Sequence, residues 1–411
     1  MESPNKLAID GGDSIRHEAF APWPYYAPDE IAAVTRVLAS GQVNYWTGKE
    51  CVQFEDEYAR HAGVLHAISL ANGTLALELA LYALGIGSGD EVVVPSRTFI
   101  ASASCVVARG ATPVVADIDP LSQNLTAETI RAVLTPRTRA IVAVHLAGWP
   151  CEMEPIMALA REHGLVVIED CAQAHGAKYQ GRPVGSFGDA AAFSFCQDKI
   201  ISTGGEGGML LTNNTALWDK AWAYTDHGKS HQAVFKREHA PGFRWLHESF
   251  GSNWRMTEMQ AAIGRLQLSK LDNWGAARRR HATILAARFE AISGLRLTPP
   301  PVEITHAYYR YYAFLKPEAL RDGWNQTRIV DAINAEGVPC FVGSCGEIYR
   351  EKAFTTAGFA PSKRHLAAQQ LADTSLAFLL HPTLTEADMR DTCDAVAKVM
   401  RAAVKPEHAP C

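Results

Sequence analysis

Between residues 66 and 212, short runs that are apolar throughout alternate with stretches of helical periodicity. The runs at 66–70 (HAISL), 91–95 (EVVVP), 112–117 (TPVVAD), 140–144 (AIVAV), 165–168 (LVVI), 190–195 (AAAFSF) and 208–212 (GMLLT) read as strands. Residues 52–61 ahead of them, and 74–84, 99–109, 126–133 and 153–163 between them, repeat apolar positions at helical spacing. Strands without a polar face need cover on both sides. The pattern therefore predicts an α/β fold built on a mainly parallel, seven-stranded central sheet.

Beyond residue 212 the rhythm changes. A long helical pattern covers 258–290, followed by a strand at 308–315, a helix at 327–336 and a closing helix at 387–404. Pro299-Pro300-Pro301 marks a loop or linker. The expected organisation is an N-terminal segment (1–35), a large domain (36–270) and a smaller α+β C-terminal domain (271–411). No internal repeat is visible.

Composition narrows the function classes. The chain has 411 residues, 47% hydrophobic and 20% charged, which suits a globular protein with a sizeable core. A formal charge of −5 offers no basic surface, so no nucleic-acid partner is expected. No apolar run approaches a membrane span, and Met1–Leu7 lacks the pattern of a signal peptide. The nine cysteines are scattered without a C-x-x-C pair. Reduced thiols, a cytoplasmic location and no metal site are the expectation.

The chemistry concentrates at strand ends. The glycine-rich turn at 85–89 follows a helix and precedes a strand, the reverse of a dinucleotide fingerprint, and no Walker A sequence occurs. Ser69-Leu70-Ala71-Asn72-Gly73-Thr74 runs from a strand into a helix, a place where backbone N–H groups can hold a phosphate. Asp170 ends the run 165–170, where open α/β sheets bind ligands. Lys199 precedes Thr203-Gly204-Gly205-Glu206-Gly207-Gly208, and Ser194 stands five residues before it. A lysine beside a glycine turn is ordinarily a surface residue. Paired with Asp170 it offers the two groups that pyridoxal phosphate chemistry needs most: an amine for a Schiff base and a carboxylate for the pyridinium nitrogen.

Five segments carry a wider resemblance: 69–81 (SLANGTLALELAL), 89–101 (GDEVVVPSRTFIA), 168–177 (IEDCAQAHGA), 194–208 (SFCQDKIISTGGEGG) and 251–268 (GSNWRMTEMQAAIGRLQL). Over roughly residues 40 to 385 the chain resembles the nucleotide-sugar aminotransferases of the DegT/DnrJ/EryC1/StrS family, which have fold type I, that of aspartate aminotransferase. By that resemblance Lys199 is the catalytic lysine that carries pyridoxal 5'-phosphate, and Asp170 is the pyridinium partner. Gln173 would bond the ring hydroxyl and Phe99 would stack on the ring. Gly73, Thr74 and Ser194 would hold the phosphate. Asn253 would reach the neighbouring subunit's phosphate, which implies a homodimer or a higher oligomer with shared sites. Tyr45, Trp46, His175, Arg255 and Tyr349 are candidates for contact with the substrate. Segments 340–349 and 374–382 depart from the family pattern, so the sugar is left open.

The implied activity is transfer of an amino group from glutamate to a nucleotide-linked keto-sugar in amino-sugar biosynthesis, for a lipopolysaccharide or an antibiotic sugar. A 4-keto-6-deoxyhexose comes first. A 3-keto sugar, a cyclitol ketone and a non-catalytic regulatory protein that binds the cofactor are the alternatives. Some family members carry histidine in place of the lysine and act as dehydratases; Lys199 argues for transamination.

Overall fold

The chain was analysed as a computed structural model that describes residues 6–406. Met1–Asn5 and Cys411, both used in the sequence reading, lie outside the described residues. Nine strands form in the first part: β1 (His66–Leu70), β2 (Glu91–Pro95), β3 (Thr112–Ala116), β4 (Thr138–Val144), β5 (Val166–Asp170), β6 (Lys178–Tyr179), β7 (Arg182–Pro183), β8 (Ala190–Ser194) and β9 (Gly208–Thr212). Seven of them make one sheet in the order β1-β9-β8-β5-β4-β2-β3. The pairings β8-β5, β5-β4, β4-β2 and β2-β3 are parallel; β9 runs antiparallel to both of its neighbours. Every residue of β2, β8 and β9 is buried, as two-sided cover requires.

One face of this sheet packs under helices Gly73–Ala83 and Ala101–Ala108. Helix Glu50–Ala62 and the start of helix Glu258–Phe289 cover aromatic residues of β8 and its extension, Phe193 and Phe195. Helix Met153–His163 packs beside β4 and β5. The 32-residue helix Glu258–Phe289 starts at a Thr257/Gln260 capping box and runs straight through the expected boundary at residue 270.

A second sheet follows, ordered β10-β12-β14-β13, from β10 (Leu295–Arg296), β12 (Tyr311–Leu315), β13 (Cys340–Phe341) and β14 (Ser375–Phe378). β11 (Ile304–Thr305) instead pairs with β6, which ties the chain after the long helix back to the first part. The strand expected at 308–315 begins only at Tyr311. The Ala307 and Tyr309 N–H groups donate to the Gly148 and Ala147 carbonyls, and Tyr308 takes a left-handed φ of 51°. That kink turns Tyr309 and Arg310 toward the ends of β5 and β8. Helices Pro28–Ser40 and Thr215–Thr225 were not anticipated from the sequence. No helix among the described residues is long and apolar enough to cross a membrane.

Candidate active site

Strand β5 ends two residues beyond its apolar core, and its last residue is Asp170. Its carboxylate is buried, accepts the Ala172 N–H at 3.1 Å, and takes the Ser102 hydroxyl at 2.9 Å. Burial pushes its pKa up, and the hydrogen bonds from Ala172 and Ser102, together with the charges of His145 and Lys199, only partly offset that. A buried carboxylate in this condition suits a cationic partner.

Gln173 lies one turn further on. Its Oε1 accepts the Ala147 N–H at 2.7 Å, which fixes the amide and leaves its NH2 group as the donor. Strand β8 ends at Ser194, and Lys199 follows in a turn closed by its own N–H on the Cys196 carbonyl. The Lys199 Nζ donates to both oxygens of Asp198, at 3.0 and 3.2 Å.

Helix Gly73–Ala83 opens beside Ser194, with the Asn72 side chain capping the Leu75 N–H at 3.0 Å. A Cβ at Gly73 would stand 2.6 Å from the Ser194 Cβ, so only glycine lets the helix start approach the strand end. The N–H groups of a helix's first turn have no intrahelical partner and favour an anion. Phe99 is 66% exposed in the loop after β2, a high figure for a ring on an otherwise buried segment.

These residues share one cavity of about 940 Å³: Gly73, Thr74, Phe99, Asp170, Gln173, Ser194 and Lys199 all line it. Its opposite wall comes from the C-terminal part: Tyr309, Arg310, Tyr312, Phe341 and Gly343–Cys345. The middle of the divergent segment 340–349 is thus part of the cavity.

The remaining candidates lie elsewhere. His175 does not line the cavity; its Nδ1 pairs with the Tyr58 hydroxyl at 2.8 Å and its Nε2 with the Ser194 carbonyl at 2.9 Å. Burial holds its pKa down near 3, so the ring is neutral and both nitrogens are already used. It braces the strand end that carries Ser194. Tyr349 is buried, with its hydroxyl on Glu347 and on the His365 N–H. Tyr45, Trp46, Asn253 and Arg255 gather instead around Glu55 and Asp226. Tyr45 donates to Glu55, Trp46 Nε1 reaches Asp226 at 2.7 Å, Arg255 is ion-paired with Asp226, and Asn253 forms a β-bridge with it.

Several cavity residues had no signal that the sequence reading used. Ser102 is one turn beyond Phe99 and could have been suspected from that spacing. Asp198 stands directly before Lys199 and was passed over. Tyr309 is 111 positions from Asp198, and nothing local points to it.

The donor set fits a phosphorylated pyridine. It offers a helix N-terminus and a hydroxyl for a dianion, a buried uncompensated carboxylate for a ring N–H, an amide donor for a ring oxygen, an exposed aromatic face and an amine. Cys51, Cys105, Cys151, Cys171, Cys196, Cys340, Cys345 and Cys393 are free thiols.

Comparison with known proteins agrees with this reading. A sequence profile of the DegT/DnrJ/EryC1/StrS aminotransferase family matches residues 24–397. The crystal structure of an aminotransferase from Psychrobacter cryohalolentis superposes with a TM-score of 0.91 at 55% identity, over 93% of this chain and 99% of that one. The GDP-perosamine synthase of Caulobacter vibrioides is 40% identical over 363 residues, 86% of this chain and 91% of its own. The L-glutamine:2-deoxy-scyllo-inosose aminotransferase of Streptoalloteichus tenebrarius is 36% identical over 97% of this chain and 98% of its own.

Proposed function

The chain belongs to the DegT/DnrJ/EryC1/StrS aminotransferase family, and from that membership we propose that it uses pyridoxal 5'-phosphate to move an amino group from glutamate to a nucleotide-linked keto-sugar, with a 4-keto-6-deoxyhexose as first choice. The observation that carries the reading is the meeting of the Lys199 amine and the buried Asp170 carboxylate in one cavity beside a helix N-terminus. When bound, the cofactor supplies an electron sink for the carbon that loses or gains a proton.

The protein's own residues do the rest. The opening of helix Gly73–Ala83, with Thr74 and Ser194, anchors the phosphate. Asp170, held by Ser102 and Ala172, keeps a proton on the ring nitrogen, and that proton in turn neutralises a carboxylate that burial disfavours. Gln173 and Phe99 fix the ring's orientation. Lys199 anchors the cofactor covalently. Once its amine is free, it carries the proton to and from the substrate carbon.

Asn253, in the cluster around Asp226 and outside its own chain's cavity, is proposed to complete the phosphate site of a second copy. The active unit is then a homodimer or larger.

One observation favours a second substrate class. The relative from Streptoalloteichus tenebrarius is named for a cyclitol ketone and for L-glutamine as donor. The test is a panel of dTDP-, UDP- and GDP-linked 4-keto and 3-keto sugars, plus a cyclitol ketone, each with glutamate and with glutamine. The expected result is amination of a 4-keto nucleotide sugar by glutamate. Turnover confined to the cyclitol with glutamine transfers the assignment to the second class, and no turnover on any pair contradicts both.

A further inference from the structure

The amine of Lys199 is not loose in the cavity. Its Nζ contacts both carboxylate oxygens of Asp198 and stands 5.3 Å from the centre of the Tyr309 ring. The Tyr309 hydroxyl donates to the Asp198 Oδ2, so the carboxylate that receives the amine is itself fixed from the other side of the cavity. The guanidinium of Arg310 lies 4.6 Å from that ring and is drawn to the same carboxylate. Two cations and a phenol thus converge on one aspartate beside the proposed anchoring lysine.

We propose that Asp198 is a positioning residue for Lys199. Whenever Nζ is protonated and carries no bond to the cofactor, the Asp198 carboxylate, braced by Tyr309, holds the ammonium inside the cavity, and the amine is neutral only for the moment in which it takes a proton from the substrate carbon. This rests on Lys199 being the cofactor anchor. Asp170 and Asp198 then divide the work: one faces the ring, and the other receives the amine.

The charges around Nζ bear on which group matters. Burial is the largest influence on Lys199 and would lower its pKa, yet Tyr309 and Asp198, with Cys196, outweigh it and raise it. Burial pushes the Tyr309 hydroxyl up, and it is therefore neutral near pH 7. Cys196 is likewise pushed up and uncharged. Asp170 and His175 also feel Lys199, but His175 is neutral, and Glu206, Arg310, Tyr312 and Cys345 are the other ionisable groups that line the cavity. The negative charge that favours the ammonium is therefore that of Asp198. Its own pKa is lowered: burial opposes this, and Lys199 and Tyr309 prevail. The Asp198 side chain is 43% exposed against 16% for Lys199, so replacing the aspartate leaves the core packing alone.

The test uses the cofactor-free full-length protein. The pH dependence of acetylation at Lys199 is followed by peptide mass spectrometry in the wild type and in Asp198→Asn, Asp198→Ser and Asp198→Glu, with thermal midpoints confirming that each is folded. An opposite charge at this range is worth roughly one pKa unit or more. The labelling midpoint is expected to fall by about that much in Asp198→Asn and Asp198→Ser, a roughly tenfold faster reaction at any pH below both midpoints. Asp198→Glu, which restores the charge, is expected to return most of the shift. An unmoved or raised midpoint in the neutral variants overturns the proposal, as does an Asp198→Glu midpoint as low as theirs. Because no cofactor is present, a failure here is separate from a failure of Lys199 to bind one, which the absorbance of the loaded wild type reports.

Discussion

At Gly73 a single methyl group separates the proposed phosphate cradle from a blocked one. The 2.6 Å approach to Ser194 leaves no room for a Cβ, and the neighbour is the end of a fully buried strand that cannot yield. Gly73→Ala is expected to fold and to lose cofactor affinity by about tenfold to a hundredfold, the cost of overpacking by one methyl, measured by titration of the cofactor-free protein. Asp170 is proposed to act through charge. Asp170→Asn keeps the shape and the Ser102 contact but cannot hold a proton on the ring nitrogen. Its kcat is expected to fall about a hundredfold or more with the phosphate site intact, so that cofactor is still retained at high concentration. Full activity in Asp170→Asn would remove that residue from the chemistry.

At the scale of elements, the wall opposite the sheet depends on one buried acid. Glu347 accepts from Tyr349 and is ion-paired to Arg364 and Arg350, joining the end of the cavity segment 343–345 to the chain before helix Leu366–Thr374. Arg364 above all, against the opposing effect of burial, holds its pKa down at about 2 from 4.5. A depressed folded pKa means that the contribution is full above about 4.5 and is lost as pH falls toward 2. The thermal midpoint of wild type should exceed that of Glu347→Gln most clearly at neutral pH, and the gap should close in acid. A gap that widens in acid would contradict the sign.

The same wall shows where sequence reading stops. Strands β1, β2 and β9 were legible to the residue because each is short, apolar and bounded by turn residues. The gathering of seven of the proposed cofactor residues in one cavity was legible for a related reason. They sit at strand ends and helix starts, where local pattern and position coincide, and the family resemblance supplied their roles. Tyr309 was not, because its place is set by backbone bonds from Ala307 and Tyr309 to Gly148 and Ala147, contacts between distant segments. His175 lies outside the cavity that Ala172 and Gln173 line, for a similar cause: its ring turns back under Ser194 to Tyr58.

For the molecule as a whole, the position of Asn253 decides whether one chain is enough. It belongs to the cluster at Asp226 and not to its own cavity. If each site takes Lys199 from one copy and Asn253 from another, Lys199→Ala and Asn253→Ala subunits should complement each other. Refolded as an equal mixture of dimers, they should regain about a quarter of the wild-type sites, since half of the dimers are mixed and each mixed dimer holds one complete site. Activity no greater than the sum of the two parents would show that each chain is self-sufficient.

The most direct measurement is the chemical identity of the anchoring amine. The protein loaded with pyridoxal 5'-phosphate is reduced with borohydride, digested and mapped by mass spectrometry. The expected result is one modified peptide, the one containing Lys199, with its yield abolished when glutamate is added before the reduction. Modification of another lysine, or none in a protein that still transfers amino groups, would contradict the assignment.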